Sequence, residues 1–272
     1  TVLDEIRDQH NTHLQTRKQL AAKVFQLTAQ YDSAIASYLA NDENTIATDT
    51  LQQYALQSTL RYGENPHQNA ALLTRPQETG LATATCVQGK ALSYNNYVNA
   101  DAALRCVSGW PEQQNACAII KHATPCGMAI ADTTEKAYSN ALATDPTSAF
   151  GGIIAFNKTL DAATAERLCK QFAEVVIAPD ITADARAILS KKSNLRVILC
   201  SPIDTSTQAQ FRSIDGGLLV QSQDNETTPE QQWQCVTTTK PTSQQQHDLA
   251  FAWQSVQHVK SNAIVYAKDK MT

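Results

Sequence analysis

The 272 residues carry 22 Lys and Arg against 26 Asp and Glu, a formal net charge of −4, and 42% of them are hydrophobic. That balance excludes a chain drawn as a whole to nucleic acid or to an anionic membrane surface, and no apolar run approaches the ~18–20 residues of a membrane-spanning helix. The cysteines, at 86, 106, 117, 126, 169, 200 and 235, are odd in number, scattered and mostly set in apolar runs, which suits reduced thiols in a cytoplasmic protein better than a disulfide framework.

The length suffices for one large domain or two ordinary ones. Residues 1–42 read as helical: Leu20, Val24, Leu27, Tyr31, Ile35 and Tyr38 recur at three- and four-residue steps, with Thr16 as N-cap and room for one helix break. One amphipathic stripe cannot enclose a core alone, so it must pack on the following domain, on a further domain or on another subunit. Asn41 to Ser58, polar and threonine-rich, reads as a connection. In Leu60–Gln68, Gly63 and Asn65-Pro66 break regular structure and put Arg61, Tyr62, Asn65 and His67 on a loop. An arginine, an aromatic ring and an amide beside a constrained backbone suit a planar, anionic ligand; the same loop is also readable as an ordinary surface turn. Leu92–Tyr97 repeats this mixture and leads into a helix from about Asn99.

Ala116–Ile120 has the length and composition of a strand buried on both faces. It delivers Lys121 and His122 and ends in a turn signalled by Pro125 and Gly127. Open α/β sheets commonly build sites at such strand ends, although the residues alone also fit a strand end that is incidentally polar. A helix over Thr134–Ala143 is followed by Asp145–Gly152, the strand Ile153–Phe156, a helix over 160–173, the strand Glu174–Pro179, a helix over 182–190 and the strand Leu195–Leu199. Strands alternating with short helices imply a mainly parallel α/β sheet. Residues 201–247 are rich in Gln, Thr and Ser and loop-like, except for a turn and strand at Ser213–Gln221. From Asp248 a helical pattern resumes, then Lys260-Ser-Asn262, an apolar run Ala263–Ala267 and the opening of a hairpin at Lys268–Lys270. The start at Thr1 and the stop at Thr272 are those expected of a piece of a longer chain.

The recurring design is an apolar strand with a polar tip: Lys121-His122, Ser148–Gly152, Glu174 and Lys260–Asn262. There is no Gly-rich phosphate loop and no C-x-x-C pair. His122 and Cys126 stand at a tolerable spacing for two metal ligands, but no further pair completes a tetrahedral set. No Ser/His/Asp arrangement is assignable from spacing.

Taken in order, Leu60–Gln68, Leu92–Asn96, Ile120–Gly127, Ser148–Phe156, Glu174–Pro179, Ser213–Gln221 and Lys260–Lys268 resemble the bifunctional purine biosynthesis family, which joins AICAR transformylase to IMP cyclohydrolase. The strings Arg61-Tyr-Gly-Glu-Asn-Pro-His-Gln68, Lys121-His-Ala-Thr-Pro-Cys-Gly127 and Lys260-Ser-Asn-Ala-Ile-Val-Tyr-Ala267 are long and specific. The resemblance implies an α/β chain in three parts: residues 1–45 as C-terminal helices of the cyclohydrolase domain, 46–57 as a linker, and 58–272 as the transformylase domain, incomplete at its C-terminus. It implies a cytidine-deaminase-like three-layer α/β/α fold that needs no metal, and Pro125-Cys126 stands here without the His-x-Glu or Cys-x-x-Cys of zinc deaminases.

The implied reaction moves a formyl group from the co-substrate 10-formyltetrahydrofolate to the 5-amino group of AICAR. The other domain then closes the product, FAICAR, to IMP. The AICAR amine is a poor nucleophile because its lone pair is delocalised, so a group that changes charge near neutrality must take its proton, and His122 fits. Lys121 and the Asn262 amide suit the oxyanion. The resemblance puts Arg61 near phosphate with Tyr62, Asn95 on the base or ribose, Phe150 and Gly151 along the wall, and Glu174 at a folate- or substrate-binding position. His67 is expected to be a turn residue, and neither Lys191 nor Lys192 is assignable to phosphate. Family members are homodimers in the cytoplasm, acting on small molecules and not on nucleic acid or membrane. Since the family's sites extend beyond both ends of this sequence, the piece alone is expected to have little or no activity. The competing readings are a zinc-type nucleotide deaminase on the related fold and a non-catalytic AICAR- or folate-binding module.

Overall fold

The computed structural model describes residues 1–39, 54–75, 78–203, 209–224 and 228–272. Helix α1 (Val2–Gln9) starts from a capping box between Thr1 and Asp4 and stops at His10, whose φ of 54° cannot continue a helix. Helix α2 (Leu14–Leu39) follows. Thr16 is not its N-cap: it lies in the first turn, where its hydroxyl donates to Glu5 Oε1 at 2.5 Å while Glu5 Oε2 accepts the His13 N–H at 2.9 Å. The predicted apolar stripe exists and faces outward, with Leu20, Val24, Leu27, Tyr31, Ile35 and Tyr38 between 41% and 80% exposed.

Of the predicted connection, residues 41–53 lie outside the described residues. Its last part is instead strand β1 (Ala55–Leu60), paired antiparallel with β2 (Ala70–Thr74). The loop between them is the one predicted around Gly63.

The core is a six-stranded sheet of β3 (Thr85–Gln88), β4 (Asn115–Lys121), β5 (Thr124–Ala131), β6 (Gly152–Phe156), β7 (Ala173–Ala178) and β8 (Arg196–Leu199), in the spatial order β3-β8-β7-β6-β4-β5. Alternate side chains along each strand feed two separate clusters. Cys117, Ile119, Ile154, Phe156 and Val176 pack with α4 (Thr134–Thr144), α5 (Ala162–Leu168) and α6 (Ala183–Leu189) on one face. Ala116, Ala118, Ile120, Ile153 and Val175 pack with α3 (Tyr94–Ser108) and with Phe251 of α7 (Ser243–Val256) on the other. Both faces are therefore covered, which is why the strands read as unbroken apolar runs.

The sheet is mixed, which corrects the expectation of a mainly parallel one. Only β6 with β7 and β7 with β8 pair parallel; β3 with β8, β6 with β4, and β4 with β5 are antiparallel. Strand–helix alternation holds from β6 to β8, where a parallel return needs a crossover, whereas a two-residue turn suffices from β4 to β5. That turn is His122-Ala123, not Pro125 and Gly127. Those two residues lie within β5, where the register slips between Ile119↔Gly127 and Ile120↔Pro125; a bulge is one of the few places where a sheet accepts a proline.

Two boundaries also differ from expectation. Helix α3 begins at Tyr94, five residues before the predicted start, because Ser93 and Asn96 form a capping box. Glu174 is the second residue of its strand, which begins one residue before the predicted start. Strands β9 (Ala209–Ile214) and β10 (Gly217–Ser222) make a separate hairpin. The apolar run Ala263–Ala267 is not a strand, but the predicted hairpin after it forms: Lys268 and Met271 exchange backbone hydrogen bonds of 3.0 and 3.2 Å, and Lys270 and Thr272 bond to the outer edge of β5.

Candidate active site

Because β4 runs antiparallel to β6, its C-terminal end lies against the beginnings of β6 and β7, with Ile120 opposite Ile153 and Gly152 opposite Ala173. Lys121, the loop before β6 and Glu174 are thereby collected at one edge of the sheet, over the N-terminal ends of its parallel strands. This is the opposite edge from the one that a purely parallel sheet would use.

Lys121 is half-buried, and its ammonium donates to the Phe150 carbonyl at 2.8 Å. The loop that offers this carbonyl is set by Asp145, which accepts from the Ser148 N–H at 2.9 Å and from its hydroxyl at 2.6 Å. Those bonds, the hydroxyl first, hold the Asp145 carboxyl below its ordinary range. Gly151 closes the loop at φ 68°, a region open to glycine, with its N–H on the Phe172 carbonyl at 2.8 Å. A Cβ there would stand 3.2 Å from the Phe172 ring and 3.4 Å from Lys121 Nζ. The exposed Phe150 ring packs against Phe172 at 5.2 Å.

His122 is exposed at the apex of the β4–β5 turn, with φ 52° for His122 and 57° for Ala123. Two consecutive left-handed residues give the turn twist that suits a hairpin, but the usual occupants are Asn and Gly. The Ala123 N–H is taken up by Asn99 Oδ1 at 2.7 Å. Behind the turn, burial pushes the Cys126 thiol above its ordinary range, the Asp145 charge adds to the rise, and Lys121 opposes it.

The start of α3 joins the remaining pieces. Asn95 Nδ2 donates to the Glu64 carbonyl at 3.3 Å, tying the 61–69 loop to the helix. Asn96, only 3% exposed, accepts the Ser93 N–H through Oδ1 and donates to Glu174 Oε2 at 3.0 Å through Nδ2. In the loop, Arg61 lies over the Tyr62 ring at 4.8 Å and donates to its hydroxyl at 3.0 Å.

The sequence-predicted residues thus fall into groups. Lys121, Phe150 and Gly151 touch; His122 rides on the same hairpin as Lys121; Glu174 is tied to α3, on which Asn95 itself stands; Arg61 and Tyr62 form a pair on the tethered loop. Asn262 is not joined to them by any hydrogen bond among the described residues: it is exposed beyond α7, and its amide oxygen accepts from the Ser261 hydroxyl at 3.0 Å. His67, Lys191 and Lys192 are exposed. Sequence reasoning passed over Asn96 and Asn99, although Ser93-x-x-Asn96 is a capping pattern that would have started the helix at Tyr94 and put both amides on one face. A cavity of about 1080 Å³ bounded by Trp233, Lys240, Leu249 and Tyr266 lies elsewhere, and none of the predicted residues lines it. Among the described residues no group of three His, Cys, Asp or Glu side chains could hold a metal ion, and no helix is long and apolar enough to cross a membrane.

An α/β sheet thus carries a lysine–histidine turn, a glycine loop and three helix amides at one edge. The family follows from comparison. The model of the AICARFT/IMPCHase bienzyme matches residues 1–272, and the chain belongs to that family. It is 48% identical over 272 residues to the bifunctional purine biosynthesis protein PurH of Nostoc sp. (strain PCC 7120), covering 99% of this chain and 53% of that protein. It is 49% identical over 262 residues to PurH of Brucella abortus (strain S19) and 46% identical over 264 residues to PurH of Rhizobium leguminosarum bv. trifolii (strain WSM2304), each covering 94% of this chain and 48% of the relative. The chain spans about half the length of the curated relatives it matches.

Proposed function

We propose that this chain supplies the central part of an AICAR transformylase site in a protein of de novo purine biosynthesis. The reaction transfers the formyl group of 10-formyltetrahydrofolate to the 5-amino group of AICAR, and IMP cyclohydrolase closes the product to IMP in the same protein. The observation that carries the reading is the Lys121-His122 hairpin end set against the Phe150-Gly151 loop, in a chain of the bienzyme family.

His122 takes a proton from the amine as its nitrogen attacks the formyl carbon. Lys121 meets the oxygen that becomes negative, and Asn262 adds a second donor. The carbon–nitrogen bond to folate then breaks and the departing nitrogen takes a proton. Arg61, with Tyr62, binds phosphate; Asn95 binds the base or ribose; Phe150 and Gly151 form a wall. Glu174 receives the folate or the nucleotide, and its geometry suits this: Asn96 fixes one carboxylate oxygen, and among the described residues no other group donates to the carboxylate.

The finer architecture belongs to the same proposal. Residues 58–272 form a cytidine-deaminase-like three-layer domain, and β1 (Ala55–Leu60) runs across its first boundary. Residues 1–45 complete a cyclohydrolase domain and 46–57 link the two. The outward apolar stripe of α2 supports a homodimer or packing on the rest of that domain, and the protein works in the cytoplasm without a catalytic metal.

The test is a formyl-transfer assay with AICAR and 10-formyltetrahydrofolate on a protein that carries this chain at the full length of its relatives. One tetrahydrofolate per turnover is expected, with one FAICAR formed and passed on to IMP. AICAR binding without transfer would replace the reading with a binding module.

A further inference from the structure

We propose that Asn99 is a positioning residue that holds the His122–Ala123 turn, and through it the His122 imidazole. The inference rests on the transformylase reading for its catalytic part and on geometry alone for its structural part.

In a two-residue hairpin turn, the cross-strand pair Lys121↔Thr124 uses the backbone groups that flank the turn. The N–H of the second turn residue points away from that pair and has no partner within the hairpin. Here it is Ala123 N–H, and Asn99 Oδ1 accepts it at 2.7 Å. The turn has particular need of an outside partner, because His122 and Ala123 both adopt left-handed φ angles that glycine or asparagine would take more readily. Asn99 is well placed to serve. It is half-buried on α3, one turn beyond Asn96, and the capping box at Ser93 fixes that helix. The same helix face therefore holds Glu174 through Asn96 and the His122 turn through Asn99, which sets the spacing between two groups that come from strands β7 and β4.

Two substitutions separate this role from plain stability. Asn99→Asp keeps an oxygen where the acceptor stands; Asn99→Leu keeps the size and removes the acceptor. The first readout is amide exchange of Ala123 in this chain. It is expected to speed up about tenfold or more in Asn99→Leu and to stay within about threefold in Asn99→Asp, as for loss or retention of one hydrogen bond. The second is transfer in the full-length protein. Asn99→Leu is expected to lower kcat about 10- to 100-fold, the scale of a catalytic group misplaced by about 1 Å, with KM for AICAR within about threefold, and Asn99→Asp to restore most of it. Unchanged exchange in Asn99→Leu would overturn the clamp. Faster exchange with unchanged kcat would overturn its catalytic part. An inactive wild-type protein would instead overturn the transformylase reading, and the exchange comparison would still decide whether Asn99 holds the turn.

Discussion

Lys121 has one structural task and one proposed catalytic task, and one substitution can separate them. Its ammonium holds the Phe150 carbonyl at 2.8 Å, so it orders the loop, and it faces the edge where the formyl oxygen is proposed to become negative. A net hydrogen bond contributes about 1 kcal/mol to folding, whereas one donor to an oxyanion is worth about 10²–10³ in kcat. Lys121→Met should therefore leave the melting temperature within a few degrees while cutting kcat by at least about a hundredfold, as read from steady-state kinetics beside a thermal melt. His258 offers a separate test on stability. Burial, with the neighbouring Arg105 charge adding to it, pulls its pKa from 6.5 down to about 4. Between those values the unfolded chain binds a proton that the folded one does not. Stability is therefore full above pH 6.5 and falls as the pH drops toward 4, by on the order of 3 kcal/mol. Denaturant titrations at pH 7 and pH 5 should show this slope in the native protein and its loss in His258→Gln.

Elements explain why some of the site was legible and some was not. Strands β6, β7 and β8 could be read directly because each is buried on both faces and appears as a short apolar run between helices. The β4–β5 hairpin was hidden by its own punctuation: Pro125 and Gly127 signal a turn by composition, yet both sit in a bulged strand. Gly127 is there for space, since a Cβ would lie 2.0 Å from the Ala141 carbonyl on α4. Gly127→Ala must push β5 off α4 and is expected to cost about 3 kcal/mol, visible as a lower denaturation midpoint. The start of α3 was missed because Tyr94-Asn-Asn-Tyr97 reads as loop by propensity, and only the cap at Ser93 reverses that. Lys121, His122 and Glu174 could be picked as polar groups beside apolar strands, and Gly151 from the glycine pair that leads into β6. Asn96 and Asn99 could not, since their importance lies in partners 78 and 24 residues away.

At the scale of the whole molecule, the apolar groups left outward are as informative as the core. The α2 stripe, Val236, Ile264 and Tyr266 are all exposed, in a chain that spans about half of its relatives. A surface of this kind suits packing against further protein, and the candidate site has its hairpin, loop and helix assembled while Asn262 stands apart from them. The central claim is that the Lys121-His122 hairpin end performs the chemistry. The most direct measurement is kcat for formyl transfer to AICAR by His122→Ala in the full-length protein, beside the wild type. The expected result is a fall of about 10²–10⁴, the range of a general base, with an unchanged melting temperature; an unchanged kcat would contradict the account.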